Sequence, residues 1–159
     1  MANTYTLDEK GQKVVWSGAV TDVHTNQKEV IGSTRFHGMK VYRYYKFDNG
    51  SAVAAVSGNI AVFKATTQDI ITSDMSTGDT NPVAAGMFVS VPADAQFCWL
   101  QVRGPATVNL AINSGADGAA CMPHTTDGML TIATANDIIV SCATASDASA
   151  KMVWLHCVM

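Results

Sequence analysis

The stretch that decides the fold is 96-QFCWLQVRGPATVNLAIN-113, in which two arms rich in Val, Phe, Trp, Leu and Ile flank Gly104-Pro105. Such arms are typical of strands, and glycine followed by proline is typical of a turn. Gly104 suits the positive φ at the first central position of a type II′ turn. Pro105 suits the second position, whose N–H need not join the ladder. The stretch therefore predicts a β-hairpin with Gly104-Pro105 at its tip.

A two-residue loop would fix the register of this hairpin, placing Trp99 opposite Leu110 and Phe97 opposite Ile112. One face would then be strongly apolar and the other about half apolar. Such a hairpin needs a second layer against it, as in a β-sandwich or β-barrel, and Trp99 is expected to be buried. The remaining opposed pairs would be Gln101 with Val108 and Arg103 with Ala106.

The composition favours a well-buried or oligomeric protein. Of the 159 residues, 48% are hydrophobic and only 14% are charged, with a net charge of −3. Nucleic acid is not an expected partner, because phosphate binding needs clustered Lys and Arg. No apolar run approaches the roughly 20 residues of a membrane span, so no membrane partner is expected. The first residues lack the pattern of a secretion signal, and we expect synthesis in a cytoplasm with reduced cysteines.

From residue 39 onward, short strand-like runs alternate with turn signals such as Asp48-Asn49-Gly50 and Asn81-Pro82. This pattern predicts a single all-β domain over residues 39–159, a compact sandwich or barrel. Residues 131–139 could also hold a turn or two of helix. The predicted strands are 40–47, 51–56, 60–64, 83–91, 97–103, 106–112, 119–122 and 129–133, and a final hairpin pairs 138–144 with 151–159.

Residues 1–38 are less regular. Val14, Val15 and Trp16 form a short apolar run among polar and turn residues. One interpretation is one or two short strands with long loops. The other is an extended N-terminal arm that reaches over a neighbouring subunit, and both remain open.

The chemistry-bearing residues do not form a convincing catalytic or metal site. Cys121 and His124 have C-x-x-H spacing, but a structural zinc site needs a second tight pair. His156 and Cys157 are neighbours in a predicted strand, so their side chains should point to opposite faces. An enzyme is therefore the weakest hypothesis, and no catalytic residue, metal or cofactor is predicted.

An aromatic cluster lies in the predicted strand 40–47, where Arg43 is surrounded by three tyrosines. These side chains could stack on sugar rings, contact a protein partner or a neighbouring subunit, or simply belong to a half-buried strand. The tyrosines are Tyr42, Tyr44 and Tyr45.

Several of these segments resemble small structural proteins of tailed bacteriophages, in particular the head decoration (cement) proteins. They are the strand-turn-strand run YRYYKFDNGSAVAAVSGNIAVF (42–63), the segment VAAGMFVSVPADAQFCWLQVRGPATV (83–108), and the Asp-Gly turns in ADGAACMP (116–123) and TDGML (126–130). The resemblance covers about residues 39–159 and is one of pattern. It implies a compact β-domain, commonly trimeric, on the outside of the capsid lattice, with no catalytic residues.

The resemblance thus leads us to expect a virion protein, made in the host cytoplasm, that decorates and stabilises a tailed-phage capsid by bridging neighbouring capsid subunits. Its partners would be the major capsid protein and further copies of itself. The alternative is a β-sandwich that binds carbohydrate or a host surface within a phage tail or fibre. The predicted contact residues are Val14, Val15, Trp16, Tyr42, Tyr44 and Tyr45.

Overall fold

A computed structural model describes residues 18–50, 52–64, 67–75, 80–110, 112, 118–133, 141–143 and 152–157. These residues form strands, turns and loops, with no helix among them, which confirms the all-β prediction. The strands are β1 (Thr34–His37), β2 (Lys40–Phe47), β3 (Ile60–Lys64), β4 (Thr67–Thr72), β5 (Thr80–Phe88), β6 (Phe97–Thr107), β7 (Ala120–Pro123), β8 (Leu130–Ile132), β9 (Ser141–Ala143) and β10 (Met152–His156).

Five of the strands close on themselves into a small barrel, in the order β2-β4-β3-β5-β6. The antiparallel pairing of β6 with β2 completes the ring, and the β2–β4 pairing is its one parallel junction among the described residues. The other strands extend the sheet, with β1 beside β2 and the series β10-β9-β7-β8 continuing from β6. Closure removes exposed strand edges from these five strands, which favours a rigid scaffold.

The predicted hairpin at Gly104-Pro105 is wrong, because β6 runs straight through both residues as one long strand. Arg103 pairs with Val41 of β2 on one side and with His156 of β10 on the other. Pro105 lies opposite Trp154 of β10. The residues before and after Gly104-Pro105, which the pattern placed on two antiparallel arms, thus follow one another in a single strand. Their pairing partners come from distant parts of the sequence.

Gly104 is required at this point by packing rather than by a turn. Its φ is +96°, and a Cβ there would lie 2.3 Å from the carbonyl oxygen of Met39. The buried Gln101 side chain supports the same region, since its Nε2 donates a hydrogen bond to the Pro105 carbonyl at 2.9 Å. The left-handed glycine therefore lets the β1–β2 turn approach the middle of β6 closely.

The barrel interior is apolar and includes the even-numbered residues of β6. Cys98, Leu100 and Val102 point inward and are fully buried. Phe47 and Phe88 meet edge to face inside the barrel, with ring centroids 5.5 Å apart. Alternation along β6 therefore follows the predicted period of two even though the hairpin does not form.

The other predicted elements have mixed outcomes. Strands at 40–47 and 60–64 are confirmed, as is the antiparallel pairing within the final hairpin, here β9 with β10. No strand forms in the described part of 51–56, and Asn81-Pro82 lies within β5 rather than in a turn. Residues 131–132 belong to β8, and 134–139 of the possible helix lie outside the described residues.

Candidate interaction surface

The outward face of the barrel carries a second, smaller core. Tyr42, Tyr44 and Trp99 pack together there, with Phe97 and Val20 against them. Tyr44 and Trp99 are direct cross-strand partners, and their ring centroids are 5.0 Å apart. Because both side chains are fully buried, another part of the chain must cover them.

That cover is the segment 18–33, which has little regular structure and is tied to the barrel by backbone hydrogen bonds. His24 and Phe97 exchange two such bonds, at 2.9 and 2.8 Å. At the other end of the segment, the Gly32 amide donates to the Tyr44 carbonyl at 2.8 Å, and the Tyr44 amide donates to Ser33 at 3.0 Å. We call residues 18–33 the N-terminal cover.

Polar and charged groups also hold the N-terminal cover on the barrel. The Arg35 guanidinium lies 4.4 Å from the centroid of the Trp99 ring and forms an ion pair with the buried Glu29 carboxylate at 3.2 Å. Arg35 also donates a hydrogen bond to the Gly18 carbonyl. The cover is therefore held by apolar packing and by its polar contacts with Arg35, which the cation–π contact positions over Trp99.

His24 is a titratable group of this layer and lies against the second core. Its Nδ1 lies 2.9 Å from the Tyr44 hydroxyl, which also accepts a hydrogen bond from the Lys28 amide at 3.2 Å. Burial lowers the pKa of His24, and the nearby Asp22 carboxylate partly opposes that shift. Burial also raises the pKa of Tyr44 to about 12. Both groups are thus stabilised in their neutral forms inside the second core.

Beyond the cover, the outward face of β6 continues without any covering segment among the described residues. Cross-strand register places Met152 opposite Thr107, Trp154 opposite Pro105 and His156 opposite Arg103. Directly opposed residues of an antiparallel pair share one face of the sheet. These six residues form a surface that we call the platform: Arg103, Pro105, Thr107, Met152, Trp154 and His156.

The platform presents large apolar groups to solvent on a fixed scaffold. Trp154 is 46% exposed and Met152 is 60% exposed, while the alternating Val153 and Leu155 are buried beneath them. Arg103 and His156 add hydrogen-bond donors at one end of the platform. Trp, Met and Arg are enriched at protein interfaces, so this face has the composition of a contact surface.

The residues that the sequence pattern singled out lie elsewhere. Tyr42, Tyr44 and Tyr45 are 5%, 0% and 2% exposed, so the chain's own packing covers nearly all of their surface and leaves little of it for stacking. The first two belong to the second core and Tyr45 to the barrel core. Residues 14–16, with Val14, Val15 and Trp16, lie outside the described residues.

The cysteine and histidine candidates are also separated. Cys121 is buried in β7 and lies within sulfur hydrogen-bond range of the Ala119 carbonyl, whereas His124 Nδ1 accepts a bond from the Thr126 amide in the following turn. His156 points outward and Cys157 inward, as alternation predicted. Among the described residues, no group of three or more His, Cys, Asp or Glu could hold a metal ion. Burial raises the pKa of Cys98 and of Cys157 to about 12, so both are poor nucleophiles at neutral pH.

Sequence reasoning missed the platform because it treated residues 106–112 as the partner of residues 97–103. The signal that could have indicated it is the alternation in 152-MVWLH-156, which places Met, Trp and His on one face. The apolar C-terminal strand was predicted to be buried, but of the five residues of β10 only Val153 and Leu155 are.

Neither the protein-family models nor the curated proteins that were searched contain a match to this chain. Within the part of the chain that the structure describes, no helix has the length and apolar character needed to cross a membrane.

Proposed function

We propose that this chain is a structural protein of a tailed-phage virion, which decorates the outer surface of the capsid and bridges neighbouring capsid subunits. The observation that carries this proposal is the platform, where half-exposed Trp154 and Met152 lie on a strand anchored to a closed barrel. An exposed aromatic anchor on a rigid sheet is what a protein docking surface requires. The resemblance of residues 39–159 to decoration proteins is the second support.

The proposed partners are the major capsid protein and further copies of this chain, in a homotrimer. A charged fraction of only 14% suits a protein with several contact surfaces. Decoration needs no reaction, and repeated weak contacts on a symmetric lattice add up through avidity. In this proposal the platform is the capsid contact, and the three tyrosines of β2 have a structural role.

The test is binding to expanded, undecorated capsids of the phage that carries this chain, followed by light scattering and co-sedimentation. Wild-type protein should bind saturably. Trp154→Ser should bind about 30-fold more weakly, the loss typical of an interface hot spot worth about 2 kcal/mol. Val91→Ser is the matched control, because Val91 is an exposed apolar residue in the loop before β6, at the other end of that strand from the platform.

Two results would count against the proposal in different ways. If wild-type protein ignores capsids, the decoration function is wrong. If Trp154→Ser binds as well as wild type does, decoration stands and the platform is not the docking surface.

A carbohydrate-binding function is the second candidate, and the half-exposed indole of Trp154 favours it. A sugar ring could stack on that indole while Arg103 and His156 donate hydrogen bonds. A glycan array probed with wild type and Trp154→Ser would support this function only if the wild type binds a defined glycan and the variant does not.

A further inference from the structure

An open groove of about 590 Å³ lies on the outward face of the barrel, between the N-terminal cover and the platform. Its floor contains Tyr42 and Gln101, which are direct cross-strand partners on β2 and β6, and Met87 of β5, which pairs with Gln101 from the other side. Tyr42 and Gln101 lie two residues along their strands from Tyr44 and Trp99. The groove floor therefore continues the face that the cover buries.

The two walls of the groove are held by the chain's own hydrogen bonds. On one side, Val20 and Thr21 form the tip of a turn closed by the Asp22 carboxylate, which accepts from the Ala19 amide at 2.8 Å. On the other side, Gly58 donates to the Phe88 carbonyl and accepts from the Asn109 amide, both at 2.8 Å. A site with walls fixed in this way is preformed and loses little entropy when it is filled.

The lining of the groove suits a short apolar peptide segment with polar neighbours. Val20 and Val89 supply partly exposed apolar surface, Met87 and Val108 lie buried behind them, and hydroxyl and amide groups lie at the rim. Lys40 is the one charged residue among the described lining residues. A strongly charged ligand therefore has little to pair with, whereas an apolar side chain finds a floor and two walls.

We propose that this groove binds Val14, Val15 and Trp16 of the same chain. The chain leading to Gly18 carries this one apolar run, and Val20, two residues after Gly18, already lines the groove. Extended residues span at most about 3.6 Å each, so Val14 lies within about 14 Å of Gly18. Gly18 accepts a hydrogen bond from Arg35, whose guanidinium lies over Trp99, and Gln101 is about 7 Å further along β6. The groove is therefore within reach of this segment.

The short connection also favours binding of this segment to the groove of its own chain over binding to the groove of a neighbouring copy. A tether of a few residues gives an effective concentration in the millimolar range, far above that of a second copy at micromolar protein. If the same chain fills the groove, the cover extends along β2 and β6 up to the edge of the platform. Thr107 belongs to both the groove and the platform. This placement competes with the expectation that the segment reaches over a neighbouring subunit, and it does not rest on the proposed function.

The test uses the full chain with the photoreactive residue p-benzoylphenylalanine in place of Trp16, irradiated at low micromolar concentration. Mass spectrometry should locate cross-links on residues 87–89 or 106–109. A mixture of ¹⁵N-labelled and unlabelled protein should give cross-links within one isotope only. The matched control places the probe at Tyr5, outside the apolar run, and should give little groove product.

A blocking variant completes the test. Ser57→Trp fills the groove from its exposed rim, and we expect it to lower the groove cross-link yield about tenfold while circular dichroism stays unchanged. Cross-links at other surfaces, mixed-isotope products, an equal yield from the Tyr5 probe, or an unchanged yield in folded Ser57→Trp would each overturn the proposal.

Discussion

Two tryptophans on the outward face of the same sheet have opposite environments. Trp99, in the first half of β6, is 0% exposed, whereas Trp154 of β10, opposite the second half of β6, is 46% exposed. The odd-numbered residues of β6 face outward along its whole length, from Phe97 through Arg103 to Thr107. The difference therefore arises from what lies over each half and not from the strand itself.

The comparison separates the part of this face that the chain itself covers from the part that is exposed. The N-terminal cover has almost no regular structure of its own, and specific groups hold it in place: the His24–Phe97 backbone bonds and the contacts of Glu29 and Gly18 with Arg35. The platform, by contrast, leaves Met152 60% and Trp154 46% exposed. Among the described residues, a rigid and exposed face of this composition is suited to docking.

The largest expected effect contrasts the two tryptophans directly. Trp99→Ala should lower the free energy of unfolding by about 3–5 kcal/mol, because it empties the second core. Trp154→Ala should lower it by only about 1 kcal/mol, because nearly half of the indole is already exposed. Urea unfolding followed by circular dichroism measures both. A loss below about 1 kcal/mol for Trp99→Ala would mean that the cover contributes little to stability.

The next effect concerns Gly104, where the covered and uncovered halves of β6 meet. Gly104→Ala should destabilise the fold by about 2–4 kcal/mol, because backbone strain at positive φ adds to a clash with the Met39 carbonyl.

Gly38→Ala is the control for this effect, since Gly38 has a φ of +59° but open space around it. It should cost only about 1–2 kcal/mol, the strain alone. Equal losses for the two variants in thermal or urea unfolding would show that Met39 does not press on Gly104.

The smallest effect is a pH dependence confined to the covered half. Burial lowers the pKa of His24 below its usual 6.5, so the folded state binds a proton less readily than the unfolded state does. The stability that neutral His24 provides is therefore complete above about pH 6.5 and is lost as the pH falls through the lowered folded value. The pKa of Asp48 is lowered mainly by the hydrogen bond from Lys64, so the protonation of Asp48 reduces stability only at still lower pH.

The readout for His24 is amide hydrogen exchange at pH 7.5 and pH 5, corrected for intrinsic rates. Exchange should accelerate in residues 18–33 at the lower pH while the barrel strands stay protected. His24→Gln, which keeps a hydrogen-bonding side chain but does not titrate, should remove the difference. Uniform acceleration across the barrel would contradict a separately fastened cover.

The sequence was sufficient to predict the all-β class, several strands and the inward and outward alternation along β6. Those features are local, because they depend on side-chain period and on turn residues such as Asp48-Asn49-Gly50, where the Asp48 carboxylate accepts from the Gly50 amide at 2.9 Å.

The pairing partners could not be predicted from local pattern. Gly104-Pro105 has the chemistry of a turn. Glycine is needed at 104, however, because the carbonyl of Met39, which is far away in sequence, leaves no room for a Cβ. The proline is accommodated beside β10, opposite Trp154. The platform was missed for the same reason: its two strands are separated by more than 40 residues, and only the tertiary fold brings them together.

The most direct test of the docking role of the platform is hydroxyl-radical footprinting of wild-type protein, alone and bound to undecorated capsids. Trp154 and Met152 should be oxidised readily in the free protein and become protected on capsids, while the exposed Val91 at the far end of β6 keeps its reactivity. Unchanged oxidation of Trp154 and Met152 on saturated capsids would contradict the assignment of the platform as the docking surface.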